Sequence, residues 1–494
     1  MKAQSKWSTA AAAVVAAGLA ILPGAPAAAN GTNDVITRVA GLTGGSSGFE
    51  APGAALNSGL NYPYQIDSDA DGNLYVADIN NNQVAKIDTA GNLTTIAGSG
   101  ANGSLAAGLA TSSPFKGVQG LAVDSAGNVF VGDPTDRRVG KIGTNGQLSI
   151  FAGTGALGTP TAGAALSSPV RAISLAIDGS DNLFIANGSP QYILKVTPAG
   201  QLSIIGGVGA SGANTPGLAT SSNMAPYMIA ADHAGNVYAG DVVTCNILKI
   251  NPAGILSIVA GNGSCITTTP TFGSANTSLP HPSALDVDSA GSIYMSNYNN
   301  FQVYKITAGQ ISLFAGDGTT GAPNYGGSAL TSPLGGSEGI VVNDAGVAFL
   351  SHSDNNTIDR IGPETPSAPR DVQATLHGNA LAVSFLPPAD SGTTPITSYE
   401  VSVDGGTSWH AISVTSSGGR LVGTLNGVSA SSFQVLVRAQ NTAGASDNST
   451  GLPVSTSAAL PVTGAAVATT AGIGLVLLVL GIGLVRTLRG RQYS

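Results

Sequence analysis

Short apolar runs of four to six residues alternate with breaks rich in Gly, Asn and Asp through most of this chain. In one stretch the runs are Gly120–Val123, Asn128–Gly132, Arg138–Ile142 and Gln147–Ala152. The breaks between them, Asp124–Gly127, Asp133–Asp136 and Gly143–Gly146, are turn chemistry. Runs this short, bounded by turn residues, predict β-strands joined as hairpins. The pattern recurs: Gly72, Gly127, Asp181, Gly235, Gly291 and Gly346 hold one turn position, spaced by 55, 54, 54, 56 and 55 residues. So constant a period marks a repeat architecture.

Each repeat predicts four strands in one antiparallel sheet. A lone sheet of that size cannot bury both faces, whereas six around an axis can. The chain enters with Ile36–Gly41, which matches fourth-strand ends such as Thr95–Gly98 and Phe151–Gly153. The last copy stops after three runs, at Ile358–Ile361. The first strand is therefore expected to complete the last sheet and remove two open edges, over residues 34–362. The predicted fold class is all-β: a six-bladed β-propeller plus a β-sandwich, with an N-terminal signal peptide and a C-terminal hydrophobic helix.

The units resemble NHL repeats. The carrying residues are Pro63, Tyr64, Gln65 and Ile66, then Asp69, Gly72–Asp78 and Asn82–Ile87. The third copy departs with Asp181 at the turn glycine, and the sixth with Val347 in place of Asn. The resemblance implies a propeller. It leaves function open, because NHL propellers mostly bind proteins or other ligands and some are lyases.

A Pro-rich break, Gly362–Pro369, ends the repeats. Residues 366–456 resemble a fibronectin type III sandwich through Pro369, Leu381–Phe385 before Pro387 and Pro388, Ile396–Val401 and Phe433–Asn441. Phe385 stands where that family usually has a core Trp, and Phe433 where it has a corner Tyr. A spacer or accessory binding module is the expected role.

The two ends read as targeting. Lys2 and Lys6, an apolar run from Ala10 to Leu22 and the small residues Ala27–Ala29 make residues 1–29 a secretory signal peptide. Near the other end, residues 457–494 hold a spacer, Leu460, Pro461, Val462, Thr463 and Gly464, an apolar stretch at 465–485 long enough to span a bilayer, and a basic tail with Arg486, Arg489 and Arg491. This order resembles the LPxTG sorting signal of Gram-positive surface proteins. The resemblance implies transient membrane insertion, cleavage between Thr463 and Gly464 by a sortase, and covalent attachment to peptidoglycan through Thr463. The expected location is the cell wall, on the extracellular side of a Gram-positive bacterium.

Composition narrows the function. Charged residues are only 9% of the chain and its net charge is −8. Removing both ends takes away five basic residues and no acidic ones, which moves that charge to −13. A phosphate-neutralising surface is absent, so nucleic acid is not an expected partner. The two cysteines, Cys245 and Cys265, fall on connections expected at one face of the fourth repeat. In an exported chain they are expected to form a disulfide.

Asp67 and Asp286 share a first-strand position where Ala122, Ala176 and Ala230 stand. They are candidate channel carboxylates for a cation, although a solvated channel wall is the plainer reading. Asp67, Asp69, Asp71 and Gly72 look like the start of a calcium loop, but Asp69 aligns with a turn Asp in other repeats. The five histidines read as surface residues. Lys86, Lys141, Lys195, Lys249, Lys305 and Arg360 recur at one position and read as blade decoration. The candidate binding face consists of the long inter-repeat loops, such as Ser99–Gly117 and Gly207–Ala225, together with the turns around Asn80–Asn82, Asp136–Arg138, Gln191–Tyr192, Tyr298–Phe301 and Asp354–Asn356.

No cofactor, metal or catalytic residue is implied. The expected function is a wall-anchored extracellular binding protein with an unknown protein or glycan ligand. An extracellular lyase or hydrolase using the channel is the alternative, and a purely structural wall component a third.

Overall fold

In a computed structural model, the protein is described at residues 34–48, 52–389, 391–392, 395–429, 432–441 and 443–455. The signal peptide, the LPVTG motif and the C-terminal apolar stretch lie outside these residues. Among the described residues no helix is long and apolar enough to cross a membrane.

The chain is all-β. Six antiparallel sheets of four or five strands follow one another from Val35 to Gly362. Their innermost strands are Pro63–Ser68, Gly120–Val123, Ala172–Ile177, Pro226–Ala231, Ala284–Val287 and Ser337–Val342. Each contacts the next, and the last contacts the first, so the sheets form a closed, propeller-like circuit. The N-terminal strand Val35–Ala40 pairs antiparallel with Thr357–Gly362 and serves as outermost strand of the last sheet. Apolar faces of neighbouring sheets bury Leu121, Val131, Phe184, Leu248, Tyr294 and Leu350 between them.

The four-strand expectation needs one addition. Five of the six sheets carry a fifth, two-residue strand on the outer edge, for example Gly108–Leu109 against Leu148 and Gln147. It comes from the long loop that precedes the sheet. It occupies N–H and C=O groups of an edge that would otherwise be open.

The recurring lysines do more than decorate. Lys86, Lys141, Lys195, Lys249 and Lys305 each sit 4.8–5.4 Å over a second-strand aromatic ring. Lys86, Lys141 and Lys195 also pair with the turn residues Asp69, Asp124 and Asp178. Aspartate, aromatic ring and lysine thus tie three strands of one sheet together.

The last sheet differs. His352 and Asp359 are both fully buried, with Nε2 3.4 Å from Oδ2. Burial lowers His352 to about 4 and raises Asp359 to about 7. The surface reading of the histidines therefore fails for His352, and His281 is half-buried; His233, His377 and His410 are exposed. His352 stands at the end of a second strand, where Asp78, Asp133, Asn187, Asp241 and Asn297 stand in the other sheets. Those five hold the turn and the incoming loop by hydrogen bonds, as when Lys116 N–H donates to Asp133 Oδ2 at 2.7 Å.

Cys245 and Cys265 are disulfide-bonded, with Cα atoms 5.2 Å apart. Cys245 occupies a left-handed turn position, φ +53°, held elsewhere by Asn82, Arg137, Phe301 and Asn356.

Beyond Pro363–Pro369, two further antiparallel sheets share one apolar core that includes Leu381, Phe385, Tyr399, Val401 and Val437. Two sheets face to face over one core is sandwich architecture.

Candidate functional site

The innermost strands of a closed ring present a row of unpaired backbone groups to its centre, and side chains must satisfy them. Gln65 does so across three sheets: Oε1 accepts Leu121 N–H at 3.1 Å and Leu175 N–H at 3.2 Å, while Nε2 donates to the Leu175 carbonyl at 2.7 Å. Ser174 Oγ accepts Ile229 N–H at 3.2 Å. What remains open is a cavity of about 80 Å³, lined by Gln65, Asp67, Leu175, Ile229, Asp286 and Ile340 among others.

Asp67 and Asp286 lie deep within the ring, half-buried, with their open surface toward this cavity. Asp67 Oδ2 accepts Val123 N–H at 2.8 Å, and Asp286 Oδ2 accepts Val342 N–H at 2.7 Å. Each carboxylate thus caps the first strand of the next sheet. Burial pushes Asp67 up to about 6 and Asp286 to about 7. The structure puts both on one cavity but aims them at different neighbours. Among the described residues, no group of three His, Cys, Asp or Glu is placed to hold a metal ion. The calcium-loop pattern is also dispersed: Asp67 faces the channel, while Asp69 accepts from Asn73 and Tyr75 and pairs with Lys86.

Three residues upstream of Asp67 on the same strand, the repeat position faces one mouth of the channel. Its occupants are Tyr64, Gln119, Ile173, Tyr227, Ser283 and Glu338. The hydroxyls of Tyr64 and Tyr227, from the first and fourth sheets, hydrogen-bond to each other across the axis. Two residues earlier again stand Tyr62, Arg171, His281 and Gly336. The His281 and Tyr227 rings meet edge to face, with centroids 6.3 Å apart.

Glu338 is the centre of this group. It is 7% exposed, and its Oε2 has no hydrogen-bond partner. Burial, reinforced by the nearby charge of Asp354, pushes its carboxyl up to about 7. Its charge in turn raises the hydroxyls of Tyr62, Tyr64 and Tyr227, for which burial is the larger cause. Tyr298 donates to Asp354 Oδ1 at 2.6 Å. Gly336 makes room for that pair: a Cβ there would lie 2.1 Å from a Tyr298 ring carbon and 2.8 Å from Asp354 Oδ2. Tyr62 has φ +63°, an uncommon conformation for a bulky residue, and its N–H donates to Asn356 Oδ1 at 2.8 Å. Strained residues held by their surroundings cluster at binding sites.

The turn face expected from sequence is largely occupied by its own loops. Asn81 donates to Asp78 and to the Gly48 carbonyl, Asn355 to the Gly321 carbonyl and Asn356 to the Gly45 carbonyl. Asp136 accepts from Leu105 N–H and pairs with Lys116 and Arg138. Of those turns, Tyr298 and Asp354 are the residues that reach the channel mouth.

Fold and mouth together define a propeller-like all-β protein. No family model matches the chain, and no curated protein matches it. Among solved structures, the chain is similar to a protein of unknown function from Bacteroides thetaiotaomicron, at 15% identity over 67% of this chain and 76% of that one, with a TM-score of 0.50. An auxiliary nutrient binding protein from the same organism matches at 13% identity over 67% and 76%, with a TM-score of 0.49. A streptogramin B lyase matches at 14% identity over 67% and 98%, with a TM-score of 0.42. At these identities the likeness concerns the fold.

Proposed function

We propose that this chain is an extracellular binding protein whose ligand site is the tyrosine-rimmed mouth of a six-bladed, NHL-type ring. One observation carries the reading: the mouth gathers Tyr62, Tyr64, Tyr227, Tyr298, Glu338 and Asp354, while the channel beneath is closed by Gln65 and the Tyr64–Tyr227 contact. Tyrosines offer apolar area with a polar tip, which suits recognition of a ligand that docks rather than passes through. The disulfide fits an oxidising, extracellular location.

In this reading residues 1–29 direct export. The fibronectin type III-like module spaces the ring from the wall, and a sortase joins Thr463 to peptidoglycan. The intact mass of wall-released protein should end at Thr463; a chain that keeps its tail in membranes would sink the anchoring claim. A glycan array and a pull-down with residues 30–463 address the ligand, and Tyr298→Ala should abolish capture if the mouth is the site.

Glu338 favours a second reading. A buried carboxyl pushed up to about 7 suits general acid–base work in a lyase or hydrolase. Turnover that disappears in Glu338→Gln, with a pH profile breaking near 7, would establish it.

A further inference from the structure

The two acids of the mouth are unpaired, and Arg171, on the same rim, forms an ion pair with neither. Among the described residues neither Glu338 nor Asp354 has a salt-bridge partner. Asp354 at least receives the Tyr298 hydroxyl. Glu338 Oε2 receives nothing, although 93% of the residue is buried. A buried acceptor left unpaired is costly, so such groups call for an explanation. The channel carboxylates beneath show the ordinary solution, a backbone N–H from the neighbouring strand. Glu338 lacks that solution and points among tyrosines, three of which, Tyr62, Tyr227 and Tyr298, keep part of their surface exposed. Electron-rich ring faces attract cations, and an unpaired carboxylate oxygen requires a hydrogen-bond donor.

The geometry points to a primary ammonium group on an alkyl stem as the ligand moiety, with its N–H groups donating to the exposed Asp354 carboxylate, its charge shared with the nearby, enclosed Glu338 and its stem against the partly exposed rings of Tyr62, Tyr227 and Tyr298. The inference rests on the mouth being the binding site. A quaternary ammonium would supply charge without a donor and should bind less well. A neutral sugar would supply a donor without charge.

The test uses the full chain with Nα-acetyl-lysinamide as probe, followed by calorimetry. The Nε-trimethyl and Nε-acetyl forms serve as controls. Binding of the free amine, at least tenfold weaker for both controls and at least tenfold weaker in Glu338→Gln, is the expected result. Asp354→Asn, at an exposed position, should weaken it severalfold in a chain that melts like the parent, which guards against a folding defect in the first variant. Equal binding of the trimethyl form, or amine binding unchanged in both variants, overturns the inference. If no amine binds while a captured ligand is lost in Tyr298→Ala, the ammonium assignment fails and the mouth stands. If neither amine nor captured ligand responds to these variants, both fail.

Discussion

Three carboxylates sit on innermost strands of the ring, at two repeat positions three residues apart, and differ in how they are held. Asp67 and Asp286, inside the channel, each accept a backbone N–H from the next sheet. Glu338, at the mouth, has an oxygen with no donor at all. Burial raises all three, to about 6, 7 and 7. Depth alone therefore does not separate structure from function. Satisfaction does: Asp67 and Asp286 close their neighbours' hydrogen bonds, and Glu338 Oε2 closes none.

The largest expected effect concerns the property the three share. Each folded value lies above the unfolded one, near 4. The stability each contributes is complete below pH 4 and is lost as pH rises through 6 to 7. Buried Asp359, raised to about 7, adds to this trend. His352 opposes it: its folded value of about 4 lies below 6.5, so its contribution is present above pH 6.5 and is lost as pH falls toward 4. The acids outnumber it, so Tm should be higher at pH 5.5 than at pH 8, by roughly 5 °C or more. A flat or inverted profile in scanning calorimetry would show that these groups are not buried as described.

The sharpest separation comes next. At pH 5, where these acids are largely protonated, Asp286→Ala strands the Val342 N–H and should cost about 1–3 kcal/mol in denaturant unfolding. The smaller loss expected from Tyr64→Phe, about 0.5–1.5 kcal/mol, reflects the hydroxyl contact across the axis. Glu338→Gln breaks no native bond to Oε2, so its midpoint at pH 5 should move by only about 0.5 kcal/mol or less. A large loss there would mean that Glu338 holds the ring, and would erase the contrast with Asp286.

Much of the ring was readable in advance. The period near 55 residues, the turn glycines and the offset of the first strand concern local spacing, which the chain carries explicitly. The fifth strands were not readable, since two residues such as Gly53–Ala54 are too few to show a period. His352 was misread although a signal existed: it occupies the strand-end position of five buried Asp and Asn residues. The mouth was missed for a similar reason. Its signal lies at the repeat position three residues before that of Asp67, where Tyr64, Tyr227 and Glu338 stand beside the Gln119, Ile173 and Ser283 of the other copies.

The sequence by itself determined the all-β class, the repeat and the pair of cysteines, because turn chemistry and strand alternation are short-range properties. Only the tertiary structure decided which polar residues are spent on the fold. Tyr64 and Tyr227 are 163 residues apart in the chain and meet because closing a ring brings the first and fourth sheets face to face. Whether a carboxylate inside that ring finds a backbone N–H depends on the strand packed beside it, and that neighbour is set by closure rather than by adjacent residues.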